Sequence, residues 1–261
     1  MTKWLLRSMT ELSSRKWISR LMGAFAHSSA SRHLIARFAA QFGIRTEEAE
    51  KELSEYKTLN EFFTRRLKPG FREVHGGEHS VVSPVDALIT GAGRVEEGVM
   101  LNIKGQDYTV EELLGGSPRT ASYRNGHYFV LYLNPSDYHR IHVPASGHIE
   151  EREHLAGKVY PVNDFGLTHM RRVLSRNERL VTYLRHAAGE MAIVKVGAMN
   201  VSSIRYTEPQ RSDVLKGDEL AYFEFGSTVV LLMQDGSFAP LEGLKPGDKV
   251  KMGQPLGDLV I

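Results

Sequence analysis

Cysteine is absent from the 261-residue chain, which removes disulfide frameworks, thiolate metal sites and thiol redox chemistry together. That absence fits a reducing compartment. Long apolar runs are missing too: none approaches the ~18 residues needed to span a bilayer. Arg7, Arg15, Lys16 and Arg20 interrupt any apolar core of a secretory leader, so the sequence predicts neither insertion nor export. No low-complexity tract occurs, and beyond the N-terminal region no basic stripe is present to track phosphates, which argues against nucleic acid. What remains is ordinary globular composition, 41% hydrophobic and 25% charged. The length suits one large domain or a main domain with an appendage.

The net charge of +2 is mild but unevenly placed. Up to residue 40 the bases are Lys3, Arg7, Arg15, Lys16, Arg20, Arg32 and Arg37, against the single acid Glu11. Trp4, Leu5, Leu6, Met9, Leu12, Trp17, Ile18, Leu21, Met22 and Phe25 accompany them, mostly at spacings of three and four. This pattern predicts an amphipathic helix. Two readings follow. The stripe docks in the headgroup region of an anionic membrane, where each Lys or Arg adds about 1 kcal/mol, or it packs on the protein's own core.

After about residue 45 the character changes. "RTEEAEKELSEYKTLNEFFTRRLKPG" predicts a helix N-capped by Thr46, with Leu59, Phe62, Phe63 and Leu67 on its apolar face and Pro69-Gly70 as its stop. From Val81 the texture is mostly β: "HYFVLYLN", "HIEEREHL", "MAIVKVGAMNVSSI" and "TVVLLM" are punctuated by Gly, Pro, Asn and Asp. "YTVEELLGG" and "LTHMRRVLSRN" read as short helices, and "AYFEFGSTVVLLM" as strand, turn and strand. "KPGDKVKMGQPLG" resembles the half-barrel hairpins of lipoyl-type and barrel-sandwich domains, although Lys251-Met252 is a loose match to a carrier lysine. The expected fold is α+β: a helical N-terminal region over 1–66, membrane-associating on the first of the two readings, then a β-rich barrel-sandwich-like domain over 67–261, which the resemblance below makes the catalytic domain.

Three places carry candidate chemistry. Asp86 in "SPVDALIT" reads alone as a turn or cap residue. His139 and His142 in "NPSDYHRIHVPASGHI" lie three apart, on opposite faces of an extended segment, so they would not chelate one ion without a turn. Each alone reads as a structural histidine. Gly226-Ser227-Thr228 defaults to a turn. Together, Asp86, His142 and Ser227 form an acid, base and nucleophile set from separate segments. The Gly-x-Ser-x-Gly elbow of α/β-hydrolases is missing. A glycine directly before the serine leaves its carbonyl open to close attack, which suits a serine attacking its own preceding peptide bond.

"LNEFFTRRLKPGFREV", "SPVDALIT", "KGQDYTVEELLG", "YLNPSDYHRIHVPASGHI", "GKVYPVN", "LSRNERLV", "VGAMNVSSI" and "KGDELAYFEFGSTVV" occur in one order that resembles the phosphatidylserine decarboxylase proenzymes, over most of the chain. "YHRIHVP" and "FGSTVV" are the specific blocks. Ala87 and Ala221 depart from the usual glycine, and Phe225 from the common leucine. The resemblance implies autocatalytic serinolysis between Gly226 and Ser227, with His142 as general base and Asp86 orienting it. The products would be a β chain, 1–226, and an α chain, 227–261, whose first residue becomes a pyruvoyl group. That group would form a Schiff base with phosphatidylserine, lose CO2 and yield phosphatidylethanolamine, an electron-sink role otherwise filled by pyridoxal phosphate. His139 is the candidate proton donor to the α-carbon.

The resemblance also implies pyruvate as the covalent cofactor, no metal, and an α–β heterodimer open to a higher homo-oligomer. It implies a peripheral position on the cytoplasmic face of the cell membrane, with the N-terminal helices on the lipid surface. Two other classes fit some of the same residues. A lysostaphin-like zinc peptidase would recruit Asp86, His139 and His142 but lacks its His-x-His pair, and a non-enzymatic lipid-binding module would leave the chain intact. An archaeal-type enzyme acting on serine ether lipids would share every residue named.

Overall fold

A computed structural model describes residues 16–96, 101–103, 106–160, 162, 170–198, 204–224 and 227–261. Its centre is an eight-stranded sheet of antiparallel neighbours in the order β11-β7-β8-β9-β13-β5-β2-β15. These strands are β2 (Ala87–Arg94), β5 (His127–Leu133), β7 (Gly147–Leu155), β8 (Arg179–His186), β9 (Gly189–Gly197), β11 (Asp213–Val214), β13 (Ser227–Met233) and β15 (Lys249–Val250). Because both faces of this sheet are covered, its middle strands are apolar at successive positions instead of alternating with polar ones. Val230 and Leu232 of β13 join Val194, Val196 and Val130 in one core. Val229, Leu231 and Met233 join Ile193, Leu131 and Phe129 in the other.

The first core is closed by the short helices α4 (Val110–Leu113) and α5 (Val173–Arg176), with Tyr123 and Tyr160. The second is closed by two three-stranded sheets. One has the order β1-β16-β14, from β1 (Ser80–Val82), β14 (Phe238–Pro240) and β16 (Pro255–Leu259). The other has the order β10-β12-β6, from β6 (Arg140–His142), β10 (Ile204–Tyr206) and β12 (Glu219–Phe223). A small ribbon, β3 (Leu101–Ile103) with β4 (Gln106–Tyr108), completes the strands described. The α+β expectation holds, but the body is an open sheet with smaller sheets stacked on it, and no closed barrel forms among the described residues. The "AYFEFGSTVVLLM" stretch is likewise no hairpin, because β12 pairs with β6 and β10 while β13 pairs with β5 and β9.

The N-terminal part is helical, but its pieces are shorter than the pattern suggests. Helix α1 (Lys16–His27) is followed by a 3-10 segment (Ser29–Leu34), then α2 (Ile35–Phe42), which Gly43 ends at φ 62°. The long helix expected from Thr46 breaks into 3-10 turns at Thr46–Glu48 and Leu53–Glu55, and only α3 (Leu59–Phe63) is α-helical. Thr58 is the residue that caps it, accepting from Glu61 N at 3.1 Å. Glu61 in the first turn favours the same start, and Phe62 and Phe63 on this helix are buried. Ile35, Ala39, Ile44, Tyr56, Leu59 and Phe62 form a third core of their own. Buried Ser31 ties these pieces together: its hydroxyl lies 2.7 Å from Ser28 O, 3.0 Å from Ala26 O and 2.9 Å from Leu59 N.

Candidate active site

Asp86 sits where the Ser83-Pro84-Val85 turn enters β2, and it is buried. Both its oxygens are taken by a guanidinium. Arg72 Nε lies 2.7 Å from Oδ1 and 3.0 Å from Oδ2, and Nη2 also bonds Oδ2. Met252 N donates to Oδ1 at 2.9 Å. Arg72 continues to Glu48 at 2.9 Å, and Glu48 to Arg45 at 2.7 Å. A charge-assisted, bidentate pair of this kind fixes the carboxylate's orientation as well as its charge. It borders a cavity of about 290 Å³ whose lining includes Arg65, Lys249 and Tyr138.

His142 ends β6, on the same stretch: its backbone N donates to Pro84 O at 2.8 Å. No hydrogen bond joins its ring to Asp86; the ring is bonded to Gly217 and Tyr138. Nδ1 lies 2.8 Å from Gly217 O, which can only accept, so Nδ1 carries the proton. Burial pushes the His142 pKa down, leaving a neutral ring whose Nε2 lone pair accepts from the Tyr138 hydroxyl at 3.0 Å. This is the tautomer a base acting through Nε2 requires.

His139 is fully buried, stacked at 4.0 Å on Phe63 of α3. Its Nδ1 bonds Asp137 O at 2.9 Å, and its Nε2 has no partner among the described residues. Burial pushes its pKa down to about 3. The strand register separates the two histidines along β12. His142 lies opposite Glu219, Arg140 opposite Tyr222, and His139 O accepts from Phe223 N at 3.1 Å. His139 is therefore beside the end of β12 that leads to Phe225 and Gly226, with His142 three residues, ~10 Å, further back.

Phe225 and Gly226 lie outside the described residues. The Ser227 backbone opens β13, opposite Leu133 of β5 on one side and Gly197 of β9 on the other. Gly197 is itself held from outside the sheet: Asn177 Nδ2 donates to its carbonyl at 2.8 Å, and Gly197 N donates to Glu178 O at 2.8 Å. Thr228 is wholly buried, and its Oγ1 has no partner among the described residues.

Asp86, His142 and the start of β13 were legible as candidates; four other groups were not. Tyr138 precedes His142 by four residues, a same-side spacing in extended chain that was available as a signal. Arg72 and Gly217 come from distant segments, and nothing local marks them. Lys195 was hidden in an apolar strand. It pairs with Val229 in β9, its Nζ donates to Thr182 Oγ1 at 2.6 Å and Ile193 O at 3.1 Å, and burial drives its pKa well below the ordinary lysine value. No three His, Asp or Glu side chains gather to hold a metal ion among the described residues.

A serine opening a central strand, with two buried neutral imidazoles and a fixed carboxylate on the adjoining segments, has the make-up of an enzyme site. The family model described as phosphatidylserine decarboxylase matches residues 59–258. Over 257 residues the chain is 46% identical to a phosphatidylserine decarboxylase proenzyme of Geobacillus kaustophilus, covering 98% of this chain and 97% of that protein. It is 43% identical to the proenzymes so named from Anoxybacillus flavithermus and Bacillus cereus, over 99% and 98% of this chain and 97% of each relative. The chain belongs to the phosphatidylserine decarboxylase family, and is a carboxy-lyase.

The buried histidines give a pH dependence with a definite sign. His139 has a folded pKa near 3 against an unfolded value of about 6.5, so below 6.5 the unfolded chain binds the extra proton. The histidine contribution to stability should therefore be constant above neutrality and fall as pH drops from 6.5 toward 3. His139 alone should contribute a loss of about 2 kcal/mol between pH 7 and pH 5. Urea unfolding at the two pH values checks this, and a His139→Gln variant should show a smaller loss than the parent.

Proposed function

We propose that the chain carries out its family's reaction, loss of CO2 from phosphatidylserine to give phosphatidylethanolamine, through a pyruvoyl group made from its own Ser227. The observation that carries this reading is the placement of Ser227 as the first residue of a central strand locked on both sides, within the segment matched to the family. In self-cleavage the Ser227 hydroxyl adds to the Gly226 carbonyl, and His142 Nε2 takes its proton. Gly217 O holds the required tautomer, Tyr138 is the hydroxyl that Nε2 exchanges for the incoming one, and Asp86 favours the imidazolium by charge. The Gly226–Ser227 C–N bond breaks to leave an ester and a free amine at position 227; elimination opens the ester, releasing Gly226 as a carboxylate and leaving dehydroalanine, whose imine form takes up a water and loses ammonia to leave the ketone.

The residues around position 227 fit such a group. His139 Nε2 and Thr228 Oγ1 are buried polar atoms awaiting partners, and buried polar atoms otherwise stay unpaired at a cost of about 1–3 kcal/mol each. Once formed, the pyruvoyl carbonyl supplies an electron-accepting site for the substrate amine. His139 stands beside the strand end that enters this site and is the proton donor to the α-carbon in this reading. It must first gain a proton at Nε2, which the substrate carboxylate's charge would promote.

The two products of cleavage would remain one body. Residues 227–261 supply β13 and β15 to the large sheet and β14 and β16 to a small one, so the α chain is woven into both. We keep the division into a helical part, 1–66, and a catalytic part, 67–261, as part of this proposal; the separate core from Ile35 to Phe62 supports it. For membrane contact, α1 exposes Leu21, Met22 and Phe25, at 64%, 48% and 43%. No helix among the described residues is long and apolar enough to cross a membrane. We assign the chain to the cytoplasmic face of the cell membrane, held peripherally by this helix.

Ser227→Ala should abolish phosphatidylethanolamine formation in a mixed-micelle assay with phosphatidylserine; turnover within tenfold of the parent would exclude the pyruvoyl route. For docking, replacing Leu21, Met22 and Phe25 together by Ser should weaken sedimentation with anionic vesicles by about tenfold or more. The unfolding midpoint should stay put, since these side chains are exposed. Undiminished vesicle binding would remove α1 as the docking element.

A further inference from the structure

A second cleft, of about 470 Å³, opens between the end of α1, helix α3 and the β10-β12-β6 sheet. That volume lies within the ~300–1,000 Å³ usual for small-molecule sites. Its walls include His27, Thr64, Arg66, Arg140, Tyr222 and Glu224. The arginines there are not equivalent. Arg140 is fixed: Nε donates to Thr64 O at 2.8 Å, Nη1 bonds Glu219, and the guanidinium lies 5.4 Å from the Tyr222 ring centroid. Arg66 meets the same Glu219 through Nε at 3.4 Å, but its side chain is 54% exposed, so the outer edge of its guanidinium faces the cleft mouth. Glu219 is also bonded by Thr207 Oγ1 at 2.8 Å, and its charge is shared between two arginines. At the inner end Glu224 faces His27 at 3.4 Å and Arg205 at 3.8 Å. Glu61 also lines the cleft but is paired with Lys51 at 2.8 Å, and Glu224 is faced by His27 and Arg205, so the exposed edge of Arg66 is the group in the lining that can meet an anion.

The position of this cleft gives the anion a source. His27 is the last residue of α1, the helix that exposes Leu21, Met22 and Phe25. Glu224 stands two residues before Gly226 in the chain. The cleft therefore joins the lipid-facing helix to the strand end that leads into the reacting position. An aminophospholipid headgroup has to cover this distance with its phosphodiester behind its amine. A guanidinium with a free edge is the side chain best shaped for a phosphodiester, which it binds through two parallel N–H donors.

We propose that this cleft receives the headgroup of the membrane-borne aminophospholipid, and that Arg66 is the positioning residue that binds its phosphodiester. The inference rests on the functional reading above, and its test separates the two. Full-length Ser227→Ala protein, which stays in the precursor form, is titrated calorimetrically with glycerophosphoserine, the soluble headgroup. Adding Arg66→Gln should weaken this binding about tenfold, Arg66→Lys should restore part of it, and Arg94→Gln, at a distant exposed arginine, should change nothing. In the processed enzyme Arg66→Gln should raise the KM for phosphatidylserine in mixed micelles about tenfold with kcat within about twofold, and should leave self-cleavage complete. Unchanged headgroup affinity in the Arg66→Gln protein overturns the proposal. So does inorganic phosphate binding as tightly as glycerophosphoserine with the same dependence on Arg66, which would make the cleft a site for any anion. Failure of the parent enzyme to decarboxylate would instead strike the functional reading, because the binding arm uses no turnover.

Discussion

The register of β13 between β5 and β9 is the constraint on which the rest of the structure depends. Seven consecutive residues of β13 pair on both sides, and Val229 to Met233 are wholly buried. Each such apolar side chain contributes roughly 1.5–3 kcal/mol when buried. A slip by one residue would send every one of them to the opposite core. Position 227 is therefore set by packing energy supplied along the whole strand. The same pairing supports the proposal that a cut before Ser227 would leave the fold intact, because β12 and β13 belong to different sheets and do not pair with each other.

Around that fixed strand the site divides its polar work. Asp86 is immobilised by Arg72 and the Met252 amide, His142 by the Gly217 carbonyl and Tyr138, and His139 by Asp137 and Phe63. Each of these groups is held by two partners, and burial keeps the two imidazoles neutral. Asp86 and His142 share no hydrogen bond, and each is held by its own set of partners.

Much of this was legible in the sequence because it is local. The apolar runs of β5, β9 and β13 and the short helix after Thr109 follow from residue type and spacing. The family followed from the order of its motifs, with "YHRIHVP" and "FGSTVV" most specific. What could not be read is what depends on distant segments meeting. Arg72 reaches Asp86 across a turn, Gly217 offers only a carbonyl, and Lys195 looks from its neighbours like a strand residue facing water. The barrel-like impression of "KPGDKVKMGQPLG" failed for the same reason: Val250 pairs with Ala87 and Val81 with Gly257, partners that local turn chemistry does not choose. The single long helix after Thr46 failed because the third core needs the chain to turn twice before Leu59.

The central claim is that the Gly226–Ser227 bond is broken by the chain itself and that Ser227 becomes the cofactor. The most direct measurement is an intact mass spectrum of the purified, denatured protein. Two chains are predicted, 1–226 and 227–261, the shorter lighter by one ammonia than a chain beginning with serine. A single chain of 29.3 kDa from a preparation that still converts phosphatidylserine to phosphatidylethanolamine would contradict the account.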